Sequence, residues 1–545
     1  MRSSTANVMG AALGRWWRLP ARRNRVRVER AVEVPMRDGV TLLADHYLPV
    51  VDEPAPTLLV RCPYGRGFPY NLLTVQLYAE RGYHVLFQST RGTFGSGGTF
   101  TPAVDEPADA QDTVAWLRTR NWFDGRLATV GGSYLGYTQW ALAVDPPPEL
   151  TAMVVTIGVH DLGRAVYGQG PLELYNQLSW ADLLSHQETV RPMTGLIRML
   201  RAERRLARTL HRLPLRGAMD ELGGEGAPWY DEWVDHPDPD DPYWQPFRAT
   251  EALGKTTVPT LLIGGWHDYF LDQTVQQYQT LRARGVDVAM TIGPWTHLDV
   301  DSKIAVPQAL DWLDAHTAGR ASLRREAPVR VFVGGAGQWE NHQTWPPKNT
   351  MTATWYLEPE QRLADSPPAQ ESSTTFVYDP ARPTPSIGGR VMAISGGAKD
   401  NRSLEARDDV LVFTTDPLAA AVDVRGAPVV QLYVASDNVH ADLFVRLCDV
   451  DRTGRSMNVT DQIVRCTEQD PTAGQVRMVR ITLDPTAHRF GPGHRIRLQV
   501  SGGAFPRFAR NLGTGEDPGS GTAMKPTSHT VLHDASHPSR ISLPC

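Results

Sequence analysis

Four cysteines in 545 residues, Cys62, Cys448, Cys466 and Cys545, are too few for a disulfide framework. None stands with histidines at zinc-ligand spacing. Cys448 and Cys466 are near enough in sequence to pair, but read better as buried free thiols. No apolar run approaches the ~20 residues that a membrane-spanning helix needs. The formal net charge is only -5, which gives no bulk electrostatic argument for binding nucleic acid or a charged surface. A phosphate-cradling G-x-x-x-x-G-K loop is absent. Gly92, Gly95, Gly97 and Gly98 follow a strand but open no clear helix, which argues against nucleotide binding. Asp235 to Asp241 is acidic, yet its prolines and the lack of EF-hand spacing mark a solvated loop rather than a calcium site. Residues 1–30 carry eight arginines, and the apolar run Val8 to Gly14 is too short for a secretory signal core, so a basic extension and a cytoplasmic location are expected.

What remains is a globular composition, 41% hydrophobic and 21% charged, long enough for two to four domains. The first part alternates strands and helices. Val32 to Tyr47 reads as a hairpin turning at Arg37-Asp38-Gly39. Thr57 to Arg61, Tyr83 to Gln88 and Leu127 to Val130 read as buried strands, and Ala108 to Thr119 as a helix, which argues for a parallel α/β sheet. From Pro146 to about Phe247, helical runs dominate after one strand at Ala152 to Ile157. The alternation then resumes with strands at Val258 to Gly265 and Val288 to Ile292, the pattern of a cap inserted into an α/β domain. Past Ala327, short strands separated by turn residues suggest an all-β sandwich, crossed by a Pro- and Gly-rich loop at Asp379 to Gly397.

The candidate chemistry lies at Val130-Gly131-Gly132-Ser133-Tyr134-Leu135-Gly136: a β-branched run, a glycine pair, a serine, then a helical run. A nucleophile elbow needs this strand–turn–helix shape. The usual G-x-S-x-G is imperfect, since Leu135 stands where the second glycine belongs and Gly136 comes one place late. A serine nucleophile needs a base, and the base an orienting acid, in the order Ser, Asp, His along an α/β-hydrolase chain. Asp268 follows the strand ending at Gly265, and His297 follows the strand ending at Ile292. Strand C-terminal ends gather along one edge of a parallel sheet, so Ser133, Asp268 and His297 are predicted to converge. His267 is a rival base and Asp272 a rival acid, and His160 and Asp161 end another strand. An oxyanion needs donors. The Tyr134 N–H is the first candidate, and the Tyr64 hydroxyl, in the loop after an early strand, is the second. Asp161, Trp266, His267 and Phe270 are candidate pocket residues, while Trp180 and Leu183 read equally as pocket or core.

These motifs together resemble the cocaine esterase and X-Pro dipeptidyl-peptidase family, which includes the α-amino-acid ester hydrolases. The resemblance rests on Met36-Arg37-Asp38-Gly39-Val40, Arg61-Cys62-Pro63-Tyr64, Arg91-Gly92-Thr93-Phe94-Gly95-Ser96-Gly97-Gly98, Gly131 to Gly136, Gly264-Gly265-Trp266-His267-Asp268 and Gly293-Pro294-Trp295-Thr296-His297, with Tyr378-Asp379-Pro380, Pro383 to Gly389 and His537-Pro538-Ser539-Arg540 further on. The family's G-x-S-Y-x-G accounts for the late glycine. The resemblance implies an α/β-hydrolase domain (31–145 and 251–326), an inserted helical cap (146–250) and a C-terminal jelly-roll-like β-sandwich (327–545), preceded by the basic extension 1–30. It also implies Ser133 as nucleophile, His297 as base, Asp268 as orienting acid, Tyr64 and Tyr134 at the oxyanion hole, and neither metal nor organic cofactor. The implied activity is a serine hydrolase acting on a carboxylic ester or amide through an acyl-enzyme. X-Pro dipeptidyl-peptidase, α-amino-acid ester hydrolase and acyltransferase are alternatives, and a non-catalytic binding protein a more distant one. The expected partner is a small ester or short peptide, with no nucleic acid. The oligomeric state is open, a homodimer being one option. Two departures stand out: Ser89 where the family commonly has Asp, and Cys62 before Pro63, which suggests thiol-reagent sensitivity at the site's mouth.

Overall fold

The computed structural model describes residues 14–67, 70–190, 192–223, 227–320, 322–466 and 473–545. The first thirteen residues of the basic extension, including most of the Val8 to Gly14 run, lie outside that description. Ten strands form the first sheet: β1 (Val26–Pro35), β2 (Thr41–Pro49), β3 (Thr57–Cys62), β4 (His84–Ser89), β5 (Leu127–Gly132), β6 (Leu150–Thr156), β7 (Thr260–His267), β8 (Val288–Thr296), β9 (Val329–Val333) and β10 (Gln338–His342). Their order is β1-β2-β4-β3-β5-β6-β7-β8-β9-β10. The strands from β3 to β9 are parallel, with antiparallel pairs at both edges. Helices cover both faces, so the central strands are apolar runs rather than alternating ones. β3 and β4 are buried at every residue. Five helices bear on the site: α1 (Glu106–Leu117), α2 (Tyr134–Ala143), α3 (Leu162–Tyr167), α4 (Leu174–His186) and α5 (Leu271–Ala283).

The cap leaves the sheet after β6 and re-enters at β7, and these two strands are hydrogen-bonded neighbours. Its core is aromatic: Trp180, Trp229, Trp233 and Trp244 run in sequence with ring centroids 5.0, 4.5 and 5.6 Å apart. Such pairs add to the hydrophobic gain of burial by about 0.5–1.5 kcal/mol each. The C-terminal domain is all-β. Its main sheet has eleven strands, with a separate two-stranded sheet made by Val422–Gly426 and Thr486–Phe490. Leu357, Phe413, Leu432, Leu447, Leu498 and Ile541 are among its fully buried core residues.

Three boundaries differ from the sequence expectation. β9 and β10 complete the first sheet, so the α/β domain runs past 326 to His342. The short alternating run Val329–Val333 carries no sign of which sheet it will join. β6 belongs to the sheet, so the cap begins after Thr156 rather than at 146. The extension is shorter than 1–30, because β1 starts at Val26 and the segment before it docks on the domain. There Trp17 is buried, Lys303 Nζ lies 4.4 Å over the Trp16 ring and Arg22 pairs with Glu80 at 2.7 Å. Cys448 and Cys466 lie on adjacent strands but at different register positions, opposite Asn458 and Ala441, and are not joined by a disulfide. Among the described residues, no helix is long and apolar enough to cross a membrane.

The cap and the β domain meet over buried charge. Arg390 pairs with Asp484 (2.5 Å), Arg507 with Asp461 (2.6 Å) and, more loosely, with Glu173 (3.8 Å), and Arg446 with Asp461 (2.8 Å). Burial pushes Glu173 up to about 7 against the pull of Arg507 and Arg390. A carboxyl whose pKa is raised by folding stabilises the fold below its unfolded value, and that contribution is lost as pH rises through the folded one. The wild type should therefore lose stability relative to Glu173→Gln as pH rises from about 4.5 through about 7. The difference in Tm between the two proteins, measured from pH 5 to 8.5, checks this.

Candidate active site

β5 drives into Gly131-Gly132, and the chain turns sharply at Ser133, whose φ of 59° and ψ of −125° are a strained pair for a non-glycine residue. Strain of this kind is held where the surroundings over-determine it. Here Ser133 N donates to Thr156 O at 3.0 Å, while Ser133 O accepts from Gly136 N at 2.8 Å. Two glycines have steric reasons. A Cβ on Gly131 would lie 2.5 Å from Leu135 Cβ, and one on Gly136 would lie 2.7 Å from the Gly158 backbone. The late glycine thus sits where α2 presses on the chain leaving β6.

At the ends of β7 and β8 stand Asp268 and His297. His297 Nε2 is 2.8 Å from Ser133 Oγ, and His297 Nδ1 is 2.7 Å from Asp268 Oδ1. Asp268 is fully buried, and its Oδ2 accepts from Phe270 N at 3.2 Å. The loop bearing His297 is pinned by Asp299, which accepts from Thr296 N and Oγ1 at 2.5 and 2.8 Å. The Phe270 ring meets the imidazole edge-on at 5.3 Å. The predicted Ser–His–Asp convergence is thus present as geometry.

Tyr64 reaches the same point from the loop after β3. Its hydroxyl accepts from Trp180 Nε1 at 3.1 Å and lies in hydrogen-bonding range of Ser133. Burial raises the phenol pKa, so it remains a neutral donor. With the indole on its lone pair, the O–H proton is free for an oxygen at the Ser133 side. Tyr134 opens α2, so its N–H is one of the donors that a helix start leaves without an internal partner. Its phenol is anchored elsewhere, donating to Glu106 Oε1 (3.0 Å) and accepting from Ala103 N (2.8 Å). Glu106 in turn pairs with buried Arg61 at 2.6 Å. If the Tyr64 O–H serves the oxyanion, Tyr64→Phe should lower kcat by roughly 10²–10³-fold with little change in KM, the scale for losing one oxyanion donor. Steady-state kinetics on an aryl ester measures this.

A small cavity of about 30 Å³ lies beside Ser133, lined by Tyr64, Val159, Leu162, Val166, Gln177, Trp180, Trp233, Tyr269, Phe270 and Met392 among others. Of the four pocket residues expected from sequence, only Phe270 lines it. Asp161 does not end its strand, since β6 stops at Thr156; it opens α3, where its carboxylate accepts from Arg164 N (2.9 Å) and pairs with Arg248 (3.4 Å). Trp266 donates Nε1 to Phe332 O (2.6 Å) and packs on Trp345. His267 feels the charges of Asp461 and Arg446 in the β domain, and desolvation lowers it to about 4. Neither is therefore part of the pocket. His160 is buried, lies 3.1 Å from Gln277 Nε2 and is lowered to about 3 by desolvation, which makes it a core histidine. Gln177, Tyr269 and Met392 were not expected. Gln177 sits one helical turn before Trp180 on α4, but no local pattern marks either it or the loop residue Met392.

The two departures resolve differently. Arg66 bonds Ser89 Oγ and also meets Asp45 on the neighbouring strand at 3.4 Å, so a carboxylate is supplied to it from β2. Cys62 is fully buried, accepts from Tyr64 N at 3.4 Å, and desolvation pushes its thiol up to about 12. The thiolate is the reactive form. The expected thiol sensitivity is accordingly withdrawn, and the native protein should keep its activity through prolonged iodoacetamide treatment, as an activity time course would record.

Comparison with known proteins follows the same lines. The family profile described as X-Pro dipeptidyl-peptidase (S15 family) matches residues 38–299, and the X-Pro dipeptidyl-peptidase C-terminal non-catalytic domain matches residues 322–542. The cocaine esterase of Rhodococcus sp. (strain MB1 Bresler) is 34% identical over 539 residues, spanning 89% of this chain and 92% of that protein. Among solved structures, an aminopeptidase from a marine sediment Thaumarchaeota archaeon superposes with TM-score 0.82 at 24% identity, covering 96% of this chain and 97% of that one. An α-amino acid ester hydrolase superposes with TM-score 0.81 at 23% identity, covering 96% and 98%.

Proposed function

The chain belongs to the cocaine esterase and X-Pro dipeptidyl-peptidase (S15) family and is a serine hydrolase, and from that premise we propose that it cleaves carboxylic esters whose acyl group is compact, apolar and uncharged. One observation carries the choice of substrate. Among the described residues lining the cavity beside Ser133, none is charged. A peptidase or amino-ester hydrolase that reads a free amine needs a carboxylate within reach of it. The candidates are already engaged: Asp161 by Arg248, Asp272 by Arg390 and Glu173 by Arg507. An ammonium placed among Val159, Leu162, Val166 and Trp233 would lose its hydration without a partner, and burial of an unpaired charge costs several kcal/mol.

Ser133 attacks the ester carbonyl as His297 Nε2 takes its proton. The Tyr64 hydroxyl and the Tyr134 N–H receive the developing oxyanion, and Asp268 holds the imidazole and stabilises its cation. His297 then protonates the departing alkoxide. Water, activated by the same imidazole, attacks the acyl-enzyme and releases the acid.

Two measurements test this. Intact mass after treatment with a fluorophosphonate should show a single adduct, and its absence would end the serine-nucleophile reading. On a panel of aryl acetates and butyrates, amino-acid aryl esters and X-Pro anilides, kcat/KM should favour the simple acyl esters. A preference for free-amine substrates would overturn the proposed specificity.

A further inference from the structure

The β domain does more than flank the site. Its crossing loop, 379–397, reaches the catalytic loops at several points. Met392 lines the cavity, and a Cβ on Gly397 would sit 3.1 Å from Thr296 Cγ2, beside His297. Arg390 stands just before both on the same loop. It is buried, and its Nη1 donates to Tyr269 O at 3.0 Å and lies 3.4 Å from Asp272 Oδ1. Its Nε lies 2.5 Å from Asp484 Oδ2. Tyr269 and Asp272 bracket the turn that starts at Asp268, the residue bonded to His297.

We propose that Arg390 is a positioning residue for Asp268. Its guanidinium ties the 268–272 turn to the β domain and so fixes the carboxylate against the imidazole and the Tyr269 ring against the acyl cavity. The proposal rests on the serine-hydrolase reading above.

Three features support it. First, Arg390 is the turn's tie to the β domain: Asp268 N donates to Gly265 O of β7 and Asp268 Oδ2 accepts from Phe270 N, whereas Tyr269 O and Asp272 reach the β domain through Arg390. Second, the tie is planar and multivalent. A guanidinium presents its groups in one plane, so Nη1 can serve the Tyr269 carbonyl and face Asp272 on the turn while Nε lies against Asp484 of the β domain, an arrangement that a lysine cannot reproduce. Third, the same residue reaches the cavity wall. The Tyr269 hydroxyl accepts from Gln177 Nε2 at 2.6 Å and bonds Ala165 O. Asn176, the neighbour of Gln177, donates to Glu173 Oε2 and accepts from Met392 N, at 3.0 and 2.9 Å. Cap, catalytic turn and β-domain loop are therefore joined in one network at the cavity wall, and Arg390 is its charged link.

The test uses the full chain with Arg390→Lys, Arg390→Met and Asp272→Asn. Asp272 is partly exposed, so its amide variant folds even if Arg390→Met does not. Three quantities are read: kcat and KM on an aryl ester, the pH dependence of kcat/KM, and the low-field proton resonance of the His297–Asp268 hydrogen bond. Arg390→Met should lower kcat by about 30- to 100-fold, with Arg390→Lys recovering only part of it. Asp272→Asn should lower kcat about three- to ten-fold. In each, the acidic limb of the pH profile and the low-field resonance should move, whereas a purely structural role would lower Tm and leave both in place in the folded fraction. Wild-type kcat, pH limb and resonance in folded Arg390→Lys and Asp272→Asn would overturn the proposal. Fluorophosphonate labelling of the wild type separates the two readings: no adduct there removes the serine-hydrolase premise, while a normal adduct with unchanged variants removes only the role of Arg390.

Discussion

Ser133→Ala is expected to lower kcat by about 10⁶-fold, leave KM within a few-fold of wild type, and abolish the fluorophosphonate adduct. The magnitude is that found when the nucleophile of a serine triad is deleted, because the three residues act as a unit and the rest cannot substitute for the missing Oγ. The structure adds a reason for clean behaviour. Ser133 has a positive φ held by backbone hydrogen bonds to Thr156 and Gly136 rather than by its hydroxyl. Alanine at that φ keeps the turn, so the variant should retain its Tm within a few degrees. Residual turnover reports the Tyr64 and Tyr134 donors and water. Stopped-flow acylation with a chromogenic ester checks the result, and a burst in the variant equal to that of wild type would exclude Ser133 as the nucleophile.

Asp268→Asn should lower kcat by about 10⁴-fold at neutral pH, for a reason that lies in the donors around the carboxylate. Oδ2 of Asp268 accepts from Phe270 N, and Oδ1 faces His297 Nδ1. Asparagine in that position keeps its carbonyl toward Phe270 N–H and turns its NH₂ toward the imidazole. His297 must then accept at Nδ1 and carry its proton on Nε2, the atom 2.8 Å from Ser133 Oγ. A protonated Nε2 cannot take the serine proton. Part of the loss should return as pH rises and hydroxide replaces the missing base, so the variant's kcat/KM should keep climbing with pH after the wild type has levelled off. A flat profile parallel to wild type would contradict this account.

The parts of the site legible in the sequence are those fixed by strand ends. Ser133, Asp268 and His297 each follow a buried parallel strand, and a parallel sheet brings such ends to one edge whatever the intervening chain does. Tyr64 follows the same rule from β3. Asp161 invites the same rule, and there it misleads. It lies past the end of β6 at the start of a helix, and an aspartate that opens a helix has a competing use for its carboxylate, which capping α3 takes. Trp266 and His267 fail because β7 extends through His267, so both sit on a strand rather than in the loop beyond it. Gln177, Met392 and Arg390 were not legible at all. Their roles come from contacts over long sequence separations, among three parts of the chain, and no local composition encodes such meetings. The domain limits show the same division: the switch from helix to strand was visible, but not that β9 and β10 would join the first sheet.

The neighbouring positions of β6 and β7 bear on how such a molecule can diversify. The whole cap is, for the sheet, one loop whose two ends are already side by side. Closing a loop costs entropy that grows only with the logarithm of its length, about 0.6 kcal/mol per doubling. Insertions or deletions in the cap therefore cost the strand register little, while exchange of its helices replaces the Trp180 and Trp233 side of the cavity together with the cap's bonds to Tyr64 and Tyr269. Such an architecture separates heredity of the reaction from heredity of the substrate: one segment can be rewritten by recombination while the other is kept.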